Sequence, residues 1–223
     1  MNNTDTVAQA EQWRADATRY KLLLRLVPAI NHKLAGSLQP VSMLAALMAR
    51  HLSRAQPDMS ILSQNAADIQ RTCKAAAVAR ADVLGWIQAP GSRPVTMAAG
   101  VAQCIGMLSA EFAIRGCTID NQTGAAHAEV DLGAVTTLLA STLLTLLDGM
   151  TSPLAIRLQE NAAIDREAGI VVSWTEMAQT EPLATGSNRH AIGWDDVQAI
   201  AAQEGVAMQH RHGRAELLFP ALA

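Results

Sequence analysis

Apolar side chains return at every seventh position twice in the first ninety residues, and that repeat limits what this part of the chain can become. Tyr20, Val27, Leu34, Val41 and Met48 form one series, flanked by Leu23, Ile30 and Leu44 and by Leu24, Leu38 and Leu52. Leu62, Ile69, Ala76 and Val83 form another, flanked by Ala66, Cys73 and Ile87. Seven residues are close to two turns of α-helix, so each series predicts a long helix with one apolar stripe. The first helix is expected from about Ala8 to Leu52. Ser53 to Asp58 then supplies a turn, and Asp58 or Ser60 is placed to cap the second helix, which should stop before Ala89-Pro90-Gly91-Ser92. Two helices joined this way make a hairpin with too little bulk to cover its own stripes. A homodimer closing a four-helix bundle is the expected burial, with Met43 and Met48 as packing residues. The alanines of the second helix favour helix formation and close approach.

Beyond Pro94 the pattern changes. Val101, Ile105, Leu108 and Phe112 predict a helix closed by Arg115-Gly116, and Cys117 to Asp120 a short strand. Asp131 is placed to cap an apolar helix ending near Asp148-Gly149, with strands at Leu154–Leu158 and Ile170–Trp174 to follow. After an irregular polar stretch from Gln179 to His190, Trp194–Ala202 reads as a helix. Val206–His210 and Ala215–Phe219 read as a hairpin turned at His212-Gly213. The expected class is α+β: a helical hairpin over 1–89, then a mixed sheet with helices on one face over 94–223.

Composition narrows the function. The chain has 223 residues, half of them apolar, and a net charge of −3 without a Lys/Arg run. That offers no footprint for nucleic acid. Met1 to Gln12 is polar and acidic, unlike a signal peptide, and no apolar run approaches the roughly 18 residues that span a bilayer. A cytoplasmic protein without membrane contact is expected. Cys73, Cys104 and Cys117 are odd in number and widely spaced, which fits reduced, packed thiols. His210 and His212 alternate on one strand face, but no third ligand is apparent, so no metal is assigned. Trp86, Trp174 and Trp194 read as core or domain-contact residues.

His32 stands out against this background. It lies two residues from both Ile30 and Leu34, about 200° away around the helix, so its ring is expected to face water. Pro40 removes the hydrogen bond to Gly36 and should kink the helix just after it.

The element order from Tyr20 to Pro220, with His32, Leu34, Leu38 and Val41 in the histidine box, resembles the cytoplasmic core of sensor histidine kinases: a dimerising hairpin bearing a phosphorylated histidine, then a Bergerat-type ATP-binding domain. The resemblance implies elements that this chain replaces. The family's acidic residue after the histidine is Lys33 here, which cannot serve as a base while protonated. Its two asparagines for magnesium and phosphate align with Ser141 and Thr145. Its Asp-x-Gly-x-Gly turn is Thr175-Glu176-Met177-Ala178-Gln179, and its glycine-rich lid is reduced to Gly186 and Gly193 between Thr185 and Trp194.

His32-Lys33-Leu34-Ala35-Gly36-Ser37 also resembles the His-x-Leu-Lys-Gly-Ser box of histidine phosphotransfer proteins, with Ala35 in place of the lysine. The resemblance therefore points to a degenerate kinase similar to the ChpT-like histidine phosphotransferases. In that reading His32 is the phosphoacceptor and exchanges phosphate with the receiver domain of a response regulator. An upstream hybrid kinase is a further partner. The chain itself binds no cofactor, and the receiver holds the magnesium. Arg25, Lys33 and Gln39 are the partner-facing candidates, although Arg25 and Lys33 also read as ordinary solvated charges. Two alternatives stay open: a non-catalytic regulator or scaffold that docks a response regulator, and an ATP-dependent kinase or phosphatase.

Overall fold

The computed structural model describes residues 3–87, 93–161, 167–178 and 190–222; the side chains of 3–8, 33, 34, 37 and 79–87 also lie outside the description. The chain is α+β, with a long helical hairpin followed by an α/β sandwich. It divides into two compact units: Val27–Ile87, and Met1–Leu26 together with Gln88–Ala223. The first 26 residues thus belong with the sandwich, a division that a split at residue 89 does not anticipate.

Helix α1 runs from Asn3 to Leu52 and continues through Pro28 and Pro40. After the turn, Asp58 Oδ1 accepts the Ser60 amide at 2.9 Å and the Ile61 amide at 3.3 Å, capping α2 (Met59–Ile87). Hydrogen bonds from the Ser60 hydroxyl and from these amides hold the Asp58 carboxyl below its ordinary pKa.

The unit Val27–Ile87 has almost no interior of its own. Among its described side chains only Ile30 and Leu62 are buried hydrophobics, whereas Val27, Leu38, Met43, Leu47, Leu52, Met59 and Val78 are exposed. Of the described heptad positions in this unit, Ile30 and Leu62 are buried, Val41, Leu44, Met48, Ile69 and Ala76 are half-buried, and Val27, Leu38 and Leu52 are exposed.

In the other unit the buried line of α1 is Ala15, Thr18, Leu22 and Leu26, while Tyr20 of the expected stripe is exposed. Its spacing of three and four residues marks a single helix face. Three cations, making four ion pairs, fix that segment. Arg19 donates to Gln203 Oε1 at 2.6 Å and Glu204 Oε1 at 2.5 Å, Lys21 donates to Asp196 Oδ2 at 2.8 Å, and Arg25 joins Glu111 and Asp148.

The sandwich carries two sheets. Strands β1 (Pro94–Thr96) and β3 (Glu129–Asp131) pair antiparallel, a small sheet that no sequence pattern announced. Strands β2 (Thr118–Gln122), β4 (Leu154–Asn161), β5 (Glu167–Glu176), β6 (Ala207–Arg211) and β7 (Arg214–Pro220) form a mixed sheet in the order β2-β4-β5-β7-β6. Among the described strands of this sheet, β2 and β4 pair parallel and the other neighbours antiparallel. Alternation sets the faces: Leu154, Ile156 and Leu158 of β4, Ile170 and Val172 of β5, and Ala215, Leu217 and Phe219 of β7 are buried. Helices α3 (Met97–Ile114), α4 (Leu132–Gly149) and α5 (Trp194–Gln203) supply the rest of the core.

Local chemistry sets the element ends. Asp131 Oδ2 accepts the Ala134 amide at 3.1 Å to start α4, while its Oδ1 takes the Arg93 amide at 3.1 Å. Gly116 at φ 65° closes α3, and Gly213 at φ 77° turns β6 into β7, a backbone region that favours glycine.

Two sequence expectations change. Both α3 and α4 are long and apolar enough by composition to cross a membrane, but 78% of the α4 window is buried inside the sandwich, as in the core helix of a soluble fold. Cys104 and Cys117 are packed free thiols, whereas Cys73 is exposed. Burial pushes the Cys104 thiol well above its ordinary pKa, so it stays protonated and inert.

Candidate functional site

His32 is exposed on α1, as the 200° argument requires. Gln39, seven residues on, is exposed as well. The side chain of Lys33 lies outside the described residues, as do residues 185–189 of the expected lid, Gly186 among them, whereas Gly193 is the N-cap of α5. The helix around His32 is continuous, so the imidazole stands on a backbone that hydrogen-bonds within itself.

Arg25 is a different case. Its side chain is 4% exposed; Nη1 donates to Asp148 Oδ2 at 2.5 Å and Nη2 to Glu111 Oε1. The expectation of a solvent-facing cation one heptad before His32 is corrected. Leu22 and Leu26 lie on the face of α1 that the sandwich covers, and Arg25, three residues from Leu22, shares it. Asp148 also accepts the Ile192 amide at 3.1 Å through Oδ2. Its Oδ1 is buried without a partner among the described residues. The partners Glu111 and Asp148 escaped sequence reading because they lie 86 and 123 residues away.

Of the two α4 positions aligned with magnesium and phosphate ligands, Ser141 is turned into the core and Thr145 is buried at the edge of an open pocket. Ser141 is 0% exposed and its hydroxyl has no partner among the described residues. Thr145 is 6% exposed, and its hydroxyl donates to the Ser141 carbonyl at 2.8 Å. This is the helix back-bond through which a threonine satisfies itself within a packed interior.

A stack lies at one end of the mixed sheet. The Trp174 and Trp194 ring centroids are 6.0 Å apart at 23°, and those of Trp194 and His210 are 4.3 Å apart at 4°. Sequence singled out all three residues separately; their union needed the β5, α5 and β6 ends to meet. Among the described residues no group of three or more His, Cys, Asp or Glu side chains could hold a metal ion.

No family model and no curated protein matches the chain. Solved structures to which it is similar include histidine kinases. The kinase AdeS of Acinetobacter baumannii is 8% identical with a TM-score of 0.47, over 85% of this chain and 98% of that one. The blue-light activated histidine kinase EL346 of Erythrobacter litoralis is 9% identical with a TM-score of 0.45, over 82% of this chain and 62% of that one. A histidine kinase from Burkholderia phymatum is 15% identical with a TM-score of 0.40, over 84% of this chain and 98% of that one.

Proposed function

We propose that the chain is a histidine phosphotransferase of a two-component phosphorelay, with His32 as phosphoacceptor and a response-regulator receiver domain as the phosphate's source or destination. One combination carries the reading: an exposed imidazole on the histidine-box helix, together with buried hydroxyls at Ser141 and Thr145 where the resemblance calls for magnesium ligands. A hydroxyl donating to its own helix and a fully buried serine do not fit a hydrated magnesium ion, which keeps several waters and needs outward-facing oxygens. The reading therefore routes no phosphate through ATP on this chain.

The step itself asks little of the protein. A neutral imidazole nitrogen attacks the phosphorus of a receiver's aspartyl phosphate, the P–O bond to the aspartate breaks, and the carboxylate leaves; the reverse step returns the phosphoryl group. The receiver's own magnesium offsets the charge. Gln39 and Lys33 flank the histidine as docking candidates, and Arg25, committed to Glu111 and Asp148, is left out of that set. A homodimer accompanies the reading, supported by the uncovered apolar side chains of Val27–Ile87.

The test is transfer from a phosphorylated receiver with magnesium and without ATP. Acid-labile label is expected on wild type and absent from His32→Ala. Absence of label on wild type would reject phosphotransfer and leave a docking regulator; label on both proteins would reject His32.

A further inference from the structure

An open pocket of about 750 Å³ lies at the end of the mixed sheet where β5 finishes. Thr145 and Met150 line it from the C-terminal end of α4, Trp174 and Glu176 from β5, Trp194 from the start of α5, and His212 from the β6–β7 turn. Its volume is in the range of small-molecule sites.

The register decides its charge. Glu176 pairs with Leu154, and Trp174 with Ile156, so both project to the helix-covered face. Arg214 pairs with Ser173 and with Arg211, which puts both arginines on the opposite face. The lining thus holds one carboxylate and, among the described residues, no lysine or arginine. Glu176 has no ion pair or side-chain hydrogen bond among the described residues. The Thr145 hydroxyl donates its hydrogen to the Ser141 carbonyl and so offers the pocket no O–H donor. The C-terminal end of α4 adds negative potential, with no basic residue in its last turn. Arg115 reaches that end but donates to the Leu147 carbonyl at 2.8 Å and does not line the pocket. The start of α5, whose dipole would favour an anion, is answered by Asp195 and Asp196 in its first turn.

The aromatic stack supplies shape selection. His210 lies almost flat on Trp194 and occupies that indole face, while the stacked rings of Trp174 and Trp194 both line the pocket. A guanidinium group is planar, stacks on indole, and pairs its fork of N–H groups with a carboxylate.

We propose that this pocket binds a guanidinium group, held by the Glu176 carboxylate beside the Trp174–Trp194 stack. The group comes either from a small molecule or from an arginine of a partner protein, and the proposal stands apart from the phosphotransfer reading.

Calorimetric titration of the full chain tests it with ethylguanidinium, with a short peptide carrying one arginine, and with the same peptide carrying citrulline, which keeps the shape and removes the charge. Saturable one-to-one binding of a guanidinium probe is expected, with a shift of the Trp194 indole N–H resonance. Glu176→Gln, a surface change that leaves the fold intact, should weaken binding about tenfold by removing a charge-assisted pair. Tighter binding of the arginine peptide than of ethylguanidinium would identify a protein-borne group, and equal binding a small molecule. Binding of the citrulline peptide as tight as its twin, unchanged binding by Glu176→Gln, or no guanidinium binding up to about 10 mM would overturn the proposal.

Discussion

Arg25 Nη1 donates to Asp148 Oδ2 at 2.5 Å, and the two side chains are 4% and 9% exposed. Breaking a buried pair by removing one partner strands the other charge in a poorly solvated place. Arg25→Ala should therefore destabilise the sandwich by about 3 kcal/mol. Urea unfolding checks this, and a loss under about 0.5 kcal/mol would show that water reaches Asp148 freely.

Gly169 of β5 sits where β4 and β7 close in. A Cβ there would lie 2.7 Å from Asn161 Cβ, 3.0 Å from Leu218 Cδ2 and 3.2 Å from the Asn161 carbonyl oxygen. Gly169→Ala should cost about 1–3 kcal/mol through overpacking, whereas Gly106→Ala, with open space around it, should be neutral or stabilising. Comparing the two unfolding midpoints separates local crowding from a general glycine effect.

Asp196 gives the molecule an acid dependence. Burial works against its charge, but hydrogen bonds from Lys21 and the Gly193 amide, with the charges of Lys21 and Arg14, outweigh it and hold the carboxyl below its ordinary value of 3.8. A lowered folded pKa contributes stability that is fully present above the unfolded value and is lost as pH falls through the folded one. Asp196→Asn should therefore show a flatter stability profile than wild type below about pH 4, measured as urea midpoints across an acid series. Superimposable slopes would mean that Asp196 carries none of the dependence.

Met43 and Leu47 are exposed in the single chain. Substituting both with aspartate removes no intrachain core, yet it should abolish a dimer that covers them by placing charge in an apolar seam. Sedimentation equilibrium should give twice the chain mass for wild type and the chain mass for the double variant. A monomeric wild type would end the dimer reading.

Much of the architecture could be read from spacing. The seven-residue repeats, Asp58 and Asp131 as caps, Gly116 and Gly213 as turns, and the alternating strands are local signals, because helix and strand periods and cap chemistry depend on residues a few positions apart. The β1–β3 pair was not legible, since three-residue strands are too short to show a period. The exposure of His32 followed from its angle on the helix. The burial of Arg25 did not, because the face a helix hides depends on what packs against it.

The sequence by itself determined the two long helices, the mixed α/β element order and the solvent-facing histidine, all consequences of local periodicity. Only the tertiary structure decided that Met1–Leu26 joins the sandwich, that Arg25 closes onto Glu111 and Asp148, and that Trp174, Trp194 and His210 stack beside Glu176. These relations join residues far apart in the chain, and burial and electrostatics choose among such meetings only once the whole core has formed.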